Sequence, residues 1–392
     1  MDDPRRNRRR EQQRRVHRQR RLTAAVIALV IVAVVAALAL RGGGSSSKAT
    51  ATAAESSKSQ AAAVSPPAQP IADAGPVKVA AVGDTNMGSL PYGLPSDGGA
   101  SLFSQVKPLL TGDIVMGNLE GTLSSGGGSK CGSNSTACYA FHTPPSYARW
   151  LKVAGFTVMN LANNHALDYG PSAQTETVAA LTRVGIRNTG RPGTMATQKV
   201  NGQTVTILGF APYPWADPLL NIAAAKKRVQ AAAAKAQIVV VTFHGGAEGS
   251  DKTHVPPGSE SAFGENRGSL RAFTHAMVDA GADVVIGHGP HVVRGMEFYK
   301  KHLIAYSVGN FMGYRVFSLG GPLSTSMVLQ TTVNPDGTFA AGRIRPTELV
   351  GSGTPVPGGD AIDVVRQLSR DDFGARAPRI SVDGVIRPPA AS

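Results

Sequence analysis

Short apolar runs alternate with segments of helical spacing along most of the chain, and this pattern predicts an α/β protein. Continuous β-branched runs indicate buried strands, whereas apolar residues that recur every three or four positions indicate helices. We therefore predict strands at 77–82, 113–116, 156–161, 204–210, 238–243, 284–286, 303–306, 324–333 and 339–346, and helices at 102–110, 145–154, 171–184, 223–236, 269–280 and 361–368. Such alternation favours a sheet that is mostly parallel in its first part.

The N-terminal segment has a different pattern, which predicts a membrane anchor. Residues 22–40 carry no charge, and at 1.5 Å per residue they span a hydrocarbon core of about 30 Å. Residues 1–21 hold ten Arg and form the expected cytoplasmic tail, because positive flanks stay inside. We predict a single-pass protein of the cell membrane with its folded domain outside the cytoplasm. A signal peptide cleaved near Ala37-Leu38-Ala39 is the alternative, with the same location for the domain.

The remaining boundaries follow from composition. Residues 41–75 are rich in Gly, Ser, Ala, Lys and Pro, cannot bury a core, and are predicted to be a disordered linker. The folded domain is expected at 76–350, followed by a Gly/Pro-rich C-terminal extension at 351–392.

The charge distribution and the two cysteines indicate which partners and which compartment suit the folded domain. The formal charge is +14, but the first 21 residues account for about half of it, so the domain shows no nucleic-acid signature. Anionic lipid contact and orientation in the membrane explain the basic tail. The two cysteines, Cys131 and Cys138, close a short polar loop, and outside the cytoplasm they predict a disulfide. A metal site is the alternative, but only His142 lies close to them in sequence.

Candidate ligand residues follow five of the apolar runs. Because the carboxyl ends of parallel strands meet at one edge of a sheet, we expect these side chains to converge. They are Asp84, the pair Asn118 and Glu120, the pair Asn164 and His165, His244, and the pair His288 and His291.

Oxygen and imidazole ligands of this kind suit Mn, Fe or Zn, and their number suffices for one or two ions. Two ions sharing a carboxylate could activate a water molecule. Glu248 is either an acid/base carboxylate beside this centre or a solvated surface group. We interpret His142, His254, His275 and His302 as structural or solvated.

Several of these segments also carry a family resemblance. They are Gly83-Asp84 with Asn86-Met87, residues 117–120 (Gly-Asn-Leu-Glu), 160–170 (Asn-Leu-Ala-Asn-Asn-His-Ala-Leu-Asp-Tyr-Gly), 244–248 (His-Gly-Gly-Ala-Glu), 281–292 (with His288-Gly-Pro-His291) and 305–311 (Ala-Tyr-Ser-Val-Gly-Asn-Phe). With them the chain resembles the CapA/PgsA family of capsule and poly-γ-glutamate biosynthesis proteins, whose domain is related to calcineurin-like metallophosphatases. The similarity extends from about residue 77 to residue 312.

The resemblance implies a four-layer α/β/β/α metallophosphatase-like sandwich with a metal centre. It implies that Asp84 is the first-strand metal carboxylate, Glu120 the bridging acid and Asn164 the metal-binding amide. It also implies that His165 is a catalytic or phosphate-contacting histidine and that His244, His288 and His291 complete the imidazole ligands.

The sequence departs from the metallophosphatase pattern at three places and from many members of the family at a fourth. Asp84-Thr85-Asn86 replaces Asp-x-His, which removes one ligand, and Glu stands at 120 in place of Asp. A Gly-Pro pair separates His288 from His291, and His244-Gly-Gly stands where many family members have His-Trp-Gly.

The leading functional hypothesis is a membrane-anchored, metal-dependent hydrolase or transferase of capsule or poly-γ-glutamate-type polymer synthesis. It would act on an amide or a phosphoester of an anionic envelope polymer, with His165 and Glu248 as catalytic groups and Asn86, Asn118 and Arg294 contacting substrate. One alternative is a non-catalytic component of a polymer synthesis or export complex that binds the polyanion through the metal and through Arg267, Arg271, Arg294 and Arg315. The other is a plain extracytoplasmic metallophosphoesterase.

Overall fold

The computed structural model describes residues 67–71, 74–132 and 138–390. The predicted tail and anchor at 1–40, and most of the predicted linker, lie outside these ranges. Within them, no helix has the length and apolar character needed to cross a membrane.

The described residues form strands and helices throughout. The strands are β1 (Val77–Asn86), β2 (Ile114–Leu119), β3 (Thr122–Leu123), β4 (His142–Thr143), β5 (Val158–Asn160), β6 (Arg187–Thr189), β7 (Ala196–Val200), β8 (Gln203–Ala211), β9 (Asp217–Pro218), β10 (Ile238–His244), β11 (Glu260–Ala262), β12 (Glu265–Gly268), β13 (Val284–His288), β14 (Met296–Tyr299), β15 (His302–Ala305), β16 (Asn310–Gly313), β17 (Thr325–Val333), β18 (Phe339–Val350), β19 (Thr354–Pro357), β20 (Arg379–Ile380) and β21 (Val385–Arg387). The α-helices are α1 (Ala148–Ala154), α2 (Gly170–Arg183), α3 (Ile222–Ala233), α4 (Leu270–Asp279) and α5 (Ala361–Phe373).

Two mixed sheets organise the fold. The larger has the order β20-β21-β18-β17-β1-β2-β5-β6, with β16 beside β1 and β19 beside β18. The smaller has the order β14-β15-β13-β10-β8-β7, with β9 beside β8. Within them β1, β2, β5 and β6 are mutually parallel, as are β8, β10, β13 and β15. Each sheet therefore brings several strand carboxyl ends to one edge.

Buried apolar residues form three main clusters that define the layers. One lies between the sheets and joins Val79 and Met116 of the larger sheet to Val240 and Ile286 of the smaller. A second packs α1 and α2 on the outer face of the larger sheet, and a third packs α3 and α4 on the outer face of the smaller. Alternate residues of β1 and β10 contribute to opposite faces, as the twofold side-chain period of a strand requires. The predicted mixed α/β class is confirmed.

One predicted helix is wrong. Residues 102–110 form turns followed by a 3₁₀ segment at Lys107–Leu109, not an α-helix. Pro108 explains the difference, because proline lacks the amide hydrogen and clashes with the preceding helical turn. The apolar pattern still identified buried positions, since Leu102, Phe103 and Val106 all lie in the core against the larger sheet.

The segment after Val350 joins the larger sheet. β19 pairs with β18 through Glu348 and Val356, and β21 pairs with β18 through Gly342 and Ile386. Helix α5 buries Ala361 and Val365 in the cluster between the sheets. It ends at Phe373, five residues beyond the predicted end.

Gly83 allows the close approach of two strands at the edge that carries the site. A Cβ there would lie 1.9 Å from Gly309 O, and the next amide, Asp84 N, donates to that same oxygen at 3.0 Å. We expect Gly83→Ala to lower the free energy of unfolding by about 1–3 kcal/mol, because the strands must separate. Chemical denaturation measures the loss. Gly128→Ala is the control, since no atom of the described residues lies within 4 Å of its Cβ position. Equal stability of the two variants would contradict the close packing.

Candidate metal centre and active site

Two carboxylates from the larger sheet lie at the centre of the site. Asp84 is fully buried near the end of β1, and its Oδ1 accepts from Asn118 Nδ2 at 2.7 Å. Glu120 follows β2 and is also fully buried. Its backbone is fixed on both sides, because Glu120 N donates to Thr85 O at 3.0 Å and Asn86 Nδ2 donates to Glu120 O at 2.6 Å. The register of β1 and β2 thus places both carboxylates at one sheet edge.

The smaller sheet contributes three imidazoles. His244 and His288 are the last residues of β10 and β13, and they face each other in parallel register. His291 follows after Gly289 and Pro290 and adopts a φ of +62°, a left-handed conformation uncommon outside glycine. Its Nδ1 donates to Asn310 Oδ1 at 2.8 Å. That bond leaves Nε2 free to act as a ligand, an arrangement frequent at metal-bound histidines.

Distances between these groups are those of a metal-binding cluster. Ligand atoms of Asp84, Glu120 and His291 all lie within 4.8 Å of one another. Glu120 Oε1 is 3.6 Å from His291 Nε2 and 3.9 Å from His244 Nε2. Asp84 Oδ1 is 3.8 Å from Nδ1 of both His244 and His288. Two atoms that bind one ion at about 2.1 Å lie about 3–4 Å apart, so these spacings fit a shared cation.

Buried polar atoms of these residues and of Asn164 lack hydrogen-bond partners among the described residues. They are Asp84 Oδ2, both Oε atoms of Glu120, both ring nitrogens of His288, His244 Nε2 and Asn164 Oδ1. An unpaired buried donor or acceptor is costly, and native structures rarely leave one without a water or ion. The oxygen and nitrogen chemistry of this set suits a divalent metal. The residues present therefore fit a metal ion.

A histidine–aspartate pair borders the cluster. His165 Nδ1 donates to Asp168 Oδ2 at 2.7 Å, and Lys130 Nζ contacts Asp168 Oδ1 at 2.6 Å. His165 Nε2 lies 4.0 Å from Glu120 Oε1. Because Asp168 accepts the Nδ1 proton, the neutral ring carries its lone pair on Nε2, toward the site.

Glu248 also borders the cluster. Its Oε1 is 2.8 Å from Arg267 Nη2, and its Oε2 is 3.8 Å from His291 Nε2. Arg267 is buried and also donates to Tyr213 Oη at 2.6 Å. Glu248 is therefore held at the site rather than free on the surface.

Burial and neighbouring charges shift the pKa values of the buried titratable groups in opposite directions. Burial raises the pKa of Glu120 well above its usual range, and the charges of Asp84 and Glu248 raise it further. Burial also lowers the pKa of His288 to about 4 and that of His244 well below its usual value. Burial would lower the pKa of His291 too, but the negative charges of Glu120 and Asp84 outweigh it and raise that pKa. His244 and His288 are thus neutral, as metal ligands must be.

Asp84 and His165 depart from their usual pKa values for different reasons. Burial would raise the pKa of Asp84, but the adjacent His291 ring, whose Nδ1 lies 3.2 Å from Asp84 Oδ2, holds that pKa below the usual range. Burial lowers the pKa of His165 despite the neighbouring Asp168 carboxylate. His165 is therefore neutral at pH 7 and able to accept a proton.

A cleft of about 660 Å³ leads from solvent to these groups. His165, His291 and Glu248 line its inner part, together with Asn164 and Asn310. Aromatic side chains line much of the remainder: Tyr139, Phe141, Tyr213, Trp215, Phe263 and Phe317.

Three residues expected to contact substrate have other roles in the structure. Asn118 is fully buried, and its Oδ1 accepts from Asn160 and Asn163 while its Nδ2 donates to Asp84. Asn86 Nδ2 donates to Glu120 O, and Asn86 Oδ1 accepts from Gly88 N. We assign both amides to positioning the carboxylates, because neither retains a free polar atom.

The structure differs most from the prediction that Arg294 contacts substrate. It is fully buried, its two Nη atoms donate to Glu260 at 3.1 and 2.8 Å, and its Nε donates to Lys252 O at 2.7 Å. A guanidinium already satisfied by these acceptors and shielded from solvent cannot bind a polymer, so its role is in the fold.

Three residues that support the site were not predicted from the sequence: Asp168, Asn310 and Asn163. Asn163 Nδ2 donates to Asn118 Oδ1 and to Leu119 O, and its Oδ1 accepts from His165 N. All three lie inside the segments that carry the family resemblance. Their polar side chains within otherwise apolar stretches were the available signal.

The other histidines have partners elsewhere. The ring of His142 packs against that of Tyr169, with centroids 4.2 Å apart and planes tilted by 47°. His254 contacts Asp372, His275 contacts Glu297, and His302 contacts Asp283 O.

The predicted disulfide between Cys131 and Cys138 is present. Cys138 lines the cleft beside Tyr139, and Lys130 precedes Cys131, so the cross-link fixes one wall of the cleft.

Comparisons with known proteins agree with the resemblance seen in the sequence. The chain is 33% identical over 245 residues to the capsule biosynthesis protein CapA of Bacillus anthracis, covering 56% of this chain and 55% of that protein. It is 31% identical over 248 residues to the PGA biosynthesis protein CapA of Bacillus subtilis (strain 168), covering 56% and 59%. The chain thus spans little more than half the length of these relatives.

A crystal structure of a hypothetical protein from Thermus thermophilus aligns with a TM-score of 0.43 and 18% identity, covering 69% of this chain and 99% of that one. The family model described as bacterial capsule synthesis protein PGA_cap matches residues 78–314, more than half of the chain. The chain therefore belongs to the PGA_cap family of bacterial capsule synthesis proteins.

Proposed function

We propose that this protein is a metal-dependent hydrolase or transferase that takes part in the synthesis of a capsule or poly-γ-glutamate-type polymer of the cell envelope. The observation that carries the proposal is the convergence of Asp84, Glu120 and His291 within 4.8 Å, beside buried ligand atoms without partners. The names of the Bacillus relatives support the biological setting. The predicted anchor at 22–40 supports a location at the membrane with the site outside the cytoplasm.

The residues that would hold Mn, Fe or Zn, as one or two ions, are Asp84, Glu120, Asn164, His244, His288 and His291. A bound divalent ion supplies Lewis-acid polarisation of a phosphoryl or acyl oxygen and lowers the pKa of bound water. In a metallophosphatase-like sandwich of two sheets with helices outside, these residues would act as ligands from both sheets at once.

The chain's own groups supply the proton transfers. His165 Nε2 faces the cluster with its lone pair available, because Asp168 holds the proton on Nδ1. It can take a proton from the attacking water and return it to the leaving group. Glu248, held by Arg267 beside His291, is the second acid/base candidate.

Replacing His165 separates catalysis from metal binding. We expect His165→Ala to retain its metal while turnover falls by about 10²–10⁴-fold, because the proton-transfer group is lost. Turnover is measured on the full-length chain with bis(p-nitrophenyl) phosphate for phosphoester cleavage and with γ-glutamyl-p-nitroanilide for amide cleavage. His254→Ala, an exposed histidine paired with Asp372, is the control and should retain full activity.

The results also distinguish the alternatives. Activity on the phosphodiester alone would favour a plain metallophosphoesterase. A metal-loaded protein that cleaves neither substrate and binds polymer equally well after His165→Ala would contradict the enzyme proposal. It would favour the non-catalytic component of a polymer synthesis or export complex, for which the loss of a ligand at Asn86 is the supporting observation.

A further inference from the structure

Phe263 occupies a position that is unfavourable for its side chain in two ways. It forms the tip of the β11–β12 hairpin with Gly264, and the two residues have φ values of +51° and +81°. Positive φ at both central turn residues favours Asn-Gly, and a bulky residue there is an outlier. Its ring is also 86% exposed to solvent. A large apolar ring that is both strained and exposed indicates a function in binding.

Phe263 is one of several aromatic residues in the outer part of the cleft, here called the outer cleft, which is lined by Tyr139, Tyr213, Trp215 and Phe263. Tyr139, beside the disulfide, is 58% exposed and lines the same cleft. In the same cleft, Tyr213 and Trp215 stack with ring centroids 5.0 Å apart and an interplanar angle of 7°. Their polar atoms are fixed, since Trp215 Nε1 donates to Asn163 O at 2.9 Å and Tyr213 Oη accepts from Arg267 at 2.6 Å. The ring faces are therefore held in place before a ligand arrives.

The charge of the outer cleft does not favour a polyanion. Among the described lining residues, Lys130 is paired with Asp168, and Arg267 is shared between Glu248 at 2.8 Å and Glu265 at 3.9 Å. A densely anionic chain would find few free cations there. An acyl chain would leave the polar groups of the cleft without partners.

A sugar ring matches both features of the surface. One face of a pyranose carries C–H groups that pack on an aromatic ring, and its hydroxyl groups can bond the polar side chains between the rings. We propose that the outer cleft binds a glycosyl ring of an envelope glycan or sugar phosphate, and that the exposed rings of Phe263 and Tyr139 contact it. This inference rests on the proposed function, since it places the ring next to the bond cleaved at the metal centre.

Tryptophan fluorescence tests the proposal without requiring turnover. The chain has two tryptophans, so Trp150→Phe in the full-length chain leaves Trp215 as the reporter. We expect saturable quenching or a blue shift on titration with a neutral glucose or N-acetylglucosamine tetramer. Phe263→Asn in that background should weaken the affinity about tenfold. It should not lower the melting temperature, because Asn suits the turn better than Phe.

Val382→Asn is the matched control, since Val382 is 87% exposed and does not line the cleft. Equal affinities of Phe263→Asn and the control, or no response to either saccharide, would overturn the proposal. So would a Phe263-dependent response only to adenosine, to a γ-linked glutamate oligomer or to anionic phospholipid vesicles. Saccharide binding without any turnover would contradict only the proposed function, and turnover without saccharide binding would contradict only this inference.

Discussion

Arg294→Ala is expected to lower the free energy of unfolding by about 3–5 kcal/mol, the cost of leaving a buried charge without its partner. Both Nη atoms contact Glu260, which is itself buried, and Glu260 Oε2 also accepts from Ala247 N at 2.9 Å. Removing the guanidinium leaves this carboxylate uncompensated. The main chain between β10 and β11, which carries Glu248, would lose its anchor at Ala247 O and Lys252 O. Chemical denaturation of the full-length chain measures the loss.

Two further variants show that burial is the cause. Lys300→Ala removes an exposed partner of Asp279 and should cost at most about 1 kcal/mol. The double variant Arg294→Met/Glu260→Leu should recover part of the stability lost in Arg294→Ala, since no unpaired charge remains. A loss no larger than that of Lys300→Ala would show that the Arg294–Glu260 pair does not stabilise the fold.

Asp84→Asn is expected to abolish tight metal binding while leaving the fold intact. The variant keeps the shape of the side chain and an oxygen that can accept from Asn118, but it removes a negative charge from the centre of the cluster. A ligand that binds only the folded state raises the melting temperature, so added Mn²⁺ or Zn²⁺ should stabilise the parent protein and not the variant. Thermal unfolding with and without metal measures this difference.

Asp251→Asn provides the control for the loss of one surface charge, because Asp251 is exposed and pairs only with its neighbour Lys252. It should retain the full metal-induced shift. An unchanged shift in Asp84→Asn would remove Asp84 from the ligand set and with it the proposed centre.

Much of the fold was predictable because strand and helix periods are local properties of the sequence. The runs at 238–243 and 284–286 each became a strand, and because both strands are parallel their ends meet. The juxtaposition of His244 and His288 was therefore predictable from the sequence. Residues 102–110 were only partly predictable. Apolar spacing identified their buried positions, but Pro108 determined the backbone conformation.

The roles of individual polar side chains were less predictable, because they depend on contacts distant in the chain. Arg294 lies in a motif next to His291, yet its partner Glu260 is 34 residues away. Asn86 and Asn118 appear in the same strand-end pattern as Asp84, but their amides bond to backbone and to other amides. The hairpin tip at Phe263 carries no apolar period at all, so only the structure places its ring at the cleft.

The central claim is that the converging carboxylates and imidazoles hold a divalent metal. Elemental analysis of the full-length chain, purified without a histidine tag and then incubated with Mn²⁺, Fe²⁺ or Zn²⁺, tests it most directly. The account predicts one or two equivalents of one of these metals per chain, and loss of this metal in Asp84→Asn and in His288→Ala. No retained metal after reconstitution, or the same stoichiometry in both variants as in the parent, would contradict it.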